Sequence, residues 1–139
     1  MAKPAKTLGA LIEDARAEIE EMDPDELAEL LAEDPHALVV DVREPYEYER
    51  GHIPGALLVP RGMLEGAADQ HNRHTLAELA EARARTVILV CDTGARSALA
   101  TVTLTMMGFE RVINLKGGMV MWEAEDHALS MDPPAHPLP

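Results

Sequence analysis

One residue in this chain is equipped for nucleophilic chemistry. Cys91 is the only cysteine, so it can enter neither an internal disulfide nor a four-thiolate zinc site. It follows the apolar run Thr86 to Val90 and precedes Asp92, Thr93, Gly94, Ala95, Arg96 and Ser97, after which a helix-like stretch begins. A cysteine at the carboxyl end of a buried strand, joined to a helix by a short loop, sits where open α/β sheets bind ligands. The amides that open a helix have no intrahelical partner. A loop that turns its N–H groups inward makes a nest favouring negative charge on a sulfur, and on an anionic group attached to it. Gly94 supplies the positive-φ freedom that a tight ring needs. Arg96 adds a fixed positive charge. The hydroxyls of Thr93 and Ser97 offer further donors, or Ser97 caps the helix. The plainer reading of a free cysteine is a small core hydrophobe. Polar residues, a glycine and an arginine directly after Cys91 make a core position unexpected.

Loop length selects among thiolate chemistries. Arginine stands five positions after Cys91, one fewer than in the phosphatase signature. The tighter ring suits a single terminal atom, such as the outer sulfur of a persulfide, better than three equatorial phosphoryl oxygens. Chemistry that turns over a disulfide needs a resolving thiol, which this sequence lacks. A persulfide carrier needs one cysteine, N–H donors and no metal or organic cofactor.

Other residues weigh less. Asp41, Arg43, Glu44 and Glu47 offer a carboxylate pair for acid–base work, and His52, between Gly51 and Ile53, reads as a residue that fixes a turn. His71 and His74 lack carboxylate or thiolate companions at ligand spacing, so no metal site is expected. Met119, Met121 and Trp122 read as core or pocket lining. Arg61, in a loop after a short strand, is a candidate second anion contact for the cysteine pocket.

The elements that must position Cys91 follow from composition and pattern. A length of 139 residues fits one domain. The net charge of −13 opposes nucleic-acid or anionic-membrane roles. Residues 13–34 carry eleven acids and one base, which reads as a solvated face or, more sharply, as a docking surface for a basic sulfur donor or acceptor. Charged residues interrupt the apolar positions near the N-terminus, so no signal core is expected, and no apolar run is long enough for a membrane span. The expected compartment is the cytoplasm. Leu8, Leu11, Ile12, Ala15, Ile19 and Met22 lie at helical spacing. Asp23, Pro24 and Glu26 then supply N-cap, first-turn proline and third-position acid for a second helix bearing Leu27, Leu30 and Leu31. A helical hairpin is therefore expected first. Strands follow at 37–42, 57–59, 86–90 and 111–115, with helices after Pro45, over 75–84, to about Met107 and over 118–127. In the third of these helices Leu99, Val102, Thr103 and Met106 are the expected buried stripe, with Gly108 as its left-handed stop. The proline-rich end is expected to be loose. Strands alternating with helices imply a mainly parallel sheet covered on both faces.

Three segments, DVREPYEYERGHIPGA at 41–56, VILVCDTGARS at 87–97 and INLKGGMVMW at 113–122, resemble in order and spacing the rhodanese (sulfurtransferase) homology domain. VPRGMLE at 59–65 is similar to bacterial single-domain members with a helical N-terminal extension. The resemblance implies an α/β fold with a central parallel five-stranded sheet and helices on both faces. It would comprise an acidic helical extension over 1–24, the domain over 25–127 and a flexible tail over 128–139. It implies a thiosulfate sulfurtransferase-type enzyme in which Cys91 takes sulfur from thiosulfate or a persulfide and passes it to cyanide or a thiol. Asp92, Thr93, Gly94, Ala95, Arg96 and Ser97 would surround the transferred atom, and Asp41, Arg43, Glu44 and Glu47, which match the first motif, would be scaffold orienting the strand end and helix rather than an acid–base pair. The partners expected are a small sulfur donor and a thiol or cyanide acceptor, with a protein donor or acceptor as a further class. Asp92 departs from the basic residue common beside the cysteine, which disfavours a dianionic donor. The alternative is a rhodanese-fold interaction or redox-sensing module without turnover.

Overall fold

A computed structural model describes residues 4–136. Five strands, β1 (Glu20–Met22), β2 (Leu38–Asp41), β3 (Leu57–Leu58), β4 (Thr86–Val90) and β5 (Arg111–Leu115), form one parallel sheet in the order β1-β5-β4-β2-β3. Among the described residues, seven α-helices surround it: α1 (Leu8–Arg16), α2 (Pro24–Glu33), α3 (Pro45–Glu49), α4 (Leu64–Ala68), α5 (Ala77–Ala80), α6 (Ala95–Met106) and α7 (Gly118–Ala124). No helix among the described residues is long and apolar enough to cross a membrane.

The unbroken apolar runs are explained by two cores, one on each face of the sheet. Leu38, Val40, Val87, Leu89, Cys91 and Val112 point toward a core shared with Leu64, Leu79, Ala100 and Leu104 of α4, α5 and α6. Their neighbours Val39, Ile88, Val90, Ile113 and Leu115 point the other way, toward Leu27, Tyr48, Met119 and Trp122 of α2, α3 and α7. A strand buried on both faces has no polar phase to show. Burying such side chains stabilises by about 1.5–3 kcal/mol each before the entropy of ordering them is counted.

Several local expectations are corrected. The first helix stops at Arg16, and Glu20–Met22 is an edge strand where the periodicity through Ile19 and Met22 predicts helix. Acidic residues disfavour strands, but here the partner strand supplies what they need. Glu20 pairs with Arg111, Glu21 accepts from Asn114, and the Lys116 N–H donates to Met22 O. The unit before β2 is thus helix, strand, helix rather than a helical hairpin. The helix predicted over 75–84 shrinks to Ala77–Ala80 because Ala82 turns inward into the core and Arg83 lies over the Phe109 ring. In α6 the residues buried are Ser97, Ala98, Ala100, Thr101 and Leu104, whereas Met106 is 76% exposed. Small side chains let α6 lie close on the sheet. Leu99, Val102 and Thr103 are left half-buried beside Leu11 and Ala15 of α1. Gly108 does stop the helix, at φ +93.

The start of the tail is fastened. The Trp122 indole N–H donates to Ala128 O, and His52 and Ser130 exchange backbone hydrogen bonds. Positions 137–139 lie outside the described residues.

The sheet order places the site. The chain leaves β2 through α3 on one face toward β3, and leaves β4 through α6 on the other face toward β5. The carboxyl ends of β2 and β4 therefore flank a topological switch point, where two loops part and leave room for a ligand. Cys91 is the first residue beyond β4.

Candidate active site

Cys91 is fully buried at the base of the loop that opens α6. Three donors converge on its Sγ: the Gly94 N–H at 3.1 Å, the Ser97 N–H at 3.4 Å and the Ser97 hydroxyl at 3.2 Å. The amides of Asp92, Thr93, Ala95 and Arg96 have no acceptor among the described residues. Hence the loop offers more N–H groups than its own sulfur uses, as a nest for an additional anionic atom requires.

The loop's carbonyls are tied back behind it. The N–H of Met119 donates to Cys91 O at 2.9 Å and that of Val120 to Asp92 O at 3.0 Å, so the start of α7 takes up these two oxygens. This needs close approach of two backbones. A Cβ on Gly118, at φ +57, would lie 2.5 Å from both Cys91 O and Asp92 O. Gly94, the N-cap of α6, sits at φ +91, where an L side chain is strained. The Gly117–Gly118 pair is the signal in the sequence for this packing, although nothing in the sequence alone joins it to the cysteine.

Arg96 does not point freely at the sulfur. Its Nη1 and Nη2 donate to Oε1 and Oε2 of Glu47, each at 2.9 Å. This bidentate bond holds the Glu47 carboxyl well below the ordinary range, at about 2, and raises Arg96. Glu47 comes from α3 and Arg96 from α6, so the pair bridges the switch point. Glu44 and Glu47 also form the capping box that opens α3. The neighbouring Asp41 and Arg43 form a buried pair, with Arg43 Nη2 donating to Asp41 Oδ2 at 2.8 Å and to Gly51 O at 2.9 Å. These four acids and bases are arranged as the scaffold that the resemblance implies, and Glu47 in addition holds the loop's arginine.

Asp92 is half-buried, has no side-chain hydrogen bond among the described residues, and lies where its charge acts on both Arg96 and Arg43. Thr93 is exposed at the loop tip, and Ala95 is half-buried at the helix start. Arg61 is placed elsewhere. It donates to Glu65 at 2.9 Å and to Thr103 at 3.3 Å, lining a cavity between α1 and α6 instead of contacting the cysteine loop. The short 3-10 turn Arg61–Met63 aims it along α6.

The His52 Nδ1–H donates to Tyr48 O at 2.8 Å and the imidazole stacks on the Tyr48 ring, fixing the turn as expected. His71 and His74 are exposed, Met119 and Trp122 are core, and Met121 is exposed. Asn114 and Glu21, which sequence reasoning passed over, reach the loop from β5 and β1: Asn114 Nδ2 donates to Gly94 O at 3.1 Å and to Glu21 Oε2 at 2.9 Å.

Comparison with known proteins agrees with this fold. The rhodanese-like domain model matches residues 23–125. A sulfurtransferase of Allochromatium vinosum is 34% identical over 104 residues, which are 75% of this chain and 88% of that protein. The structure of a Rhodopseudomonas palustris protein of unknown function, described as a possible tyrosine phosphatase, superposes with a TM-score of 0.83 at 29% identity, covering 94% of this chain and 99% of that one. A thiosulfate sulfurtransferase of Pseudomonas aeruginosa superposes with a TM-score of 0.70 at 25% identity, over 89% of this chain but 22% of that chain.

Proposed function

The chain belongs to the rhodanese-like domain family, and from that premise we propose that it moves a sulfane sulfur from a donor to a thiophilic acceptor through a persulfide on Cys91. The observation that carries this reading is the set of three donors on Sγ together with the unpartnered amides of the same loop.

The Cys91 thiolate attacks the outer sulfur of the donor. A new Sγ–S bond forms, the donor's S–S bond breaks, and its electron pair leaves with the departing group, which is sulfite when the donor is thiosulfate. The persulfide's terminal sulfur carries the negative charge and lies within the ring of N–H groups. Cyanide or a thiolate then attacks that sulfur, the Sγ–S bond breaks, and the Cys91 thiolate returns. Asp92, Thr93, Gly94, Ala95, Arg96 and Ser97 form the ring, with Gly94 and Ser97 touching the sulfur directly.

The charge at the loop argues for a particular donor class. Glu47 takes up both terminal nitrogens of Arg96, and Asp92 adds a further carboxylate to the loop, with Arg96 and Arg43 in range of its charge. A dianion such as thiosulfate meets that charge, at a cost of roughly 1–3 kcal/mol at intermediate dielectric. A low-molecular-weight or protein persulfide, whose sulfane group carries one negative charge where thiosulfate carries two, is the better donor. The tight five-position loop and the clamped arginine count against a phosphoryl substrate.

Mass spectrometry tests the reading. Incubation with thiosulfate and, in parallel, glutathione persulfide should add one sulfur atom to Cys91, faster with the persulfide. Cys91→Ser should gain none, and Asp92→Arg should narrow the gap between donors. No adduct with either donor overturns the persulfide mechanism, and turnover that survives Cys91→Ser overturns the assignment of the nucleophile.

A further inference from the structure

The segment ahead of the family-matched region reaches the cysteine loop through a continuous line of hydrogen bonds. Asn114 of β5 is fully buried, and parallel pairing sets it opposite Glu21 of β1. Its Nδ2 donates both to Glu21 Oε2, at 2.9 Å, and to Gly94 O, at 3.1 Å. Two acceptors on one nitrogen decide which way the amide faces, because turning it over would set Oδ1 against a carboxylate and a carbonyl. Oδ1 itself has no partner among the described residues. The side chain is therefore held by its nitrogen alone. Behind it, Arg16 Nε at the end of α1 donates to Glu21 Oε1 at 3.0 Å. In front of it, the Gly94 carbonyl that Asn114 holds belongs to the residue whose N–H donates to Sγ at 3.1 Å.

We propose that Glu21, braced by Arg16, is a positioning residue for the sulfur-transfer site: it fixes the Asn114 amide, which fixes Gly94 with its N–H aimed at Cys91 Sγ. The inference rests on the sulfur-transfer reading and extends it to residues 16 and 21, which precede the matched region at 23–125. Gly94 has no Cβ to restrict it and lies at φ +91, so bonds to its own peptide groups determine where its N–H points. Its carbonyl accepts from the Ala98 N–H and from Asn114. Without Glu21 the carboxamide keeps one acceptor and gains freedom about its broad terminal torsion. The second hold on Gly94 then weakens, and with it a preorganised donor to the reacting sulfur.

The sign of the effect separates this role from simple electrostatics. Glu21 is a carboxylate close to the loop, so removing its charge alone would favour an anionic donor and raise turnover with thiosulfate. Loss of positioning lowers it. The experiment compares the full-length wild type, Glu21→Ala and Glu21→Gln. It measures single-turnover persulfide formation on Cys91, the thiosulfate KM, and hydrogen exchange of the Gly94 amide by NMR. Glu21→Ala should slow persulfide formation about tenfold and lower Gly94 protection by a similar factor, with KM unchanged or reduced. Glu21→Gln keeps an oxygen that can accept from Asn114, and should recover both to within about threefold of wild type. Unchanged Gly94 protection in Glu21→Ala, faster turnover in that variant, or a glutamine variant as slow as the alanine one would overturn the proposal. A wild type that forms no persulfide sinks the sulfur-transfer reading instead, and the Gly94 exchange data then decide the anchoring by themselves.

Discussion

Helices α2 and α6 have similar lengths, ten and twelve residues, and open in opposite ways. The start of α2 is closed. The Asp23 side chain accepts from the Glu26 N–H, the Glu26 side chain accepts from the Asp23 N–H, Pro24 has no N–H to satisfy, and Asp25 and Glu26 oppose the helix dipole. The start of α6 is open. Its N-cap is Gly94 with no side chain to cap anything, its first turn holds no acid, and Arg96 puts a positive charge at the positive end of the dipole. Taken alone, α6 is poorly begun. The missing partners come from elsewhere: the Cys91 sulfur accepts from two of its amides, and Glu47 of α3 neutralises Arg96. A closed helix start serves stability, while an open one keeps donors free, and in the proposed reaction these meet the charge of the persulfide.

That contrast can be broken from either side. The largest effect is expected from Gly118→Ala, whose Cβ would enter the space of the Cys91 and Asp92 carbonyls. The loop must shift, and Cys91 persulfide formation should fall on the order of 100-fold, with a stability loss of about 1–3 kcal/mol in urea titration. Activity within twofold of wild type would show that the loop does not depend on this packing.

Next comes Glu47→Gln, which unclamps Arg96. The Glu47 carboxyl lies at about 2 against an ordinary value of 4.5, so the folded state binds its proton less readily than the unfolded state does. Its stabilisation is complete above about pH 5 and is lost as pH falls toward 2. Because Arg96 is 40% exposed, solvent screening reduces the contribution to about 1–2 kcal/mol. Urea midpoints measured from pH 7 to pH 3 should show the glutamine variant less stable at neutral pH and converging on wild type in acid. A constant gap across that range would refute the link to ionisation.

The smallest effect belongs to the closed helix. Asp23→Ala removes one cap and should cost about 1 kcal/mol, lowering Tm by a few degrees in a thermal melt. Its rate of persulfide formation should equal that of wild type; a slowed rate would mean that the two helix starts are not independent.

How much was legible in the sequence follows the same division. The cap of α2, the strand ending at Val90, the cysteine loop and the glycine that stops α6 depend on residues within a few positions of each other, and all appear where their patterns place them. β1 was not legible. Glu20 and Glu21 look like helix residues until Arg111 and Asn114 are set beside them. The inward face of α6 was misplaced because the larger apolar residues on that helix meet α1, while alanines meet the sheet. Arg61 stood at a suitable place in the chain for a second anion contact, but its side chain runs toward Thr103.

The sequence by itself determined that this is a parallel α/β protein with its one cysteine at a strand end, because apolar runs, caps and turns encode local structure over a few residues at a time. Only the tertiary structure decided what surrounds that cysteine. The strand order β1-β5-β4-β2-β3 brings Glu47, Asn114, Gly118 and Glu21 to the Cys91 loop from four different elements. Hydrogen bonds and close backbone packing act over a few ångströms in space, whatever the distance along the chain, and no local pattern records which distant residues will meet.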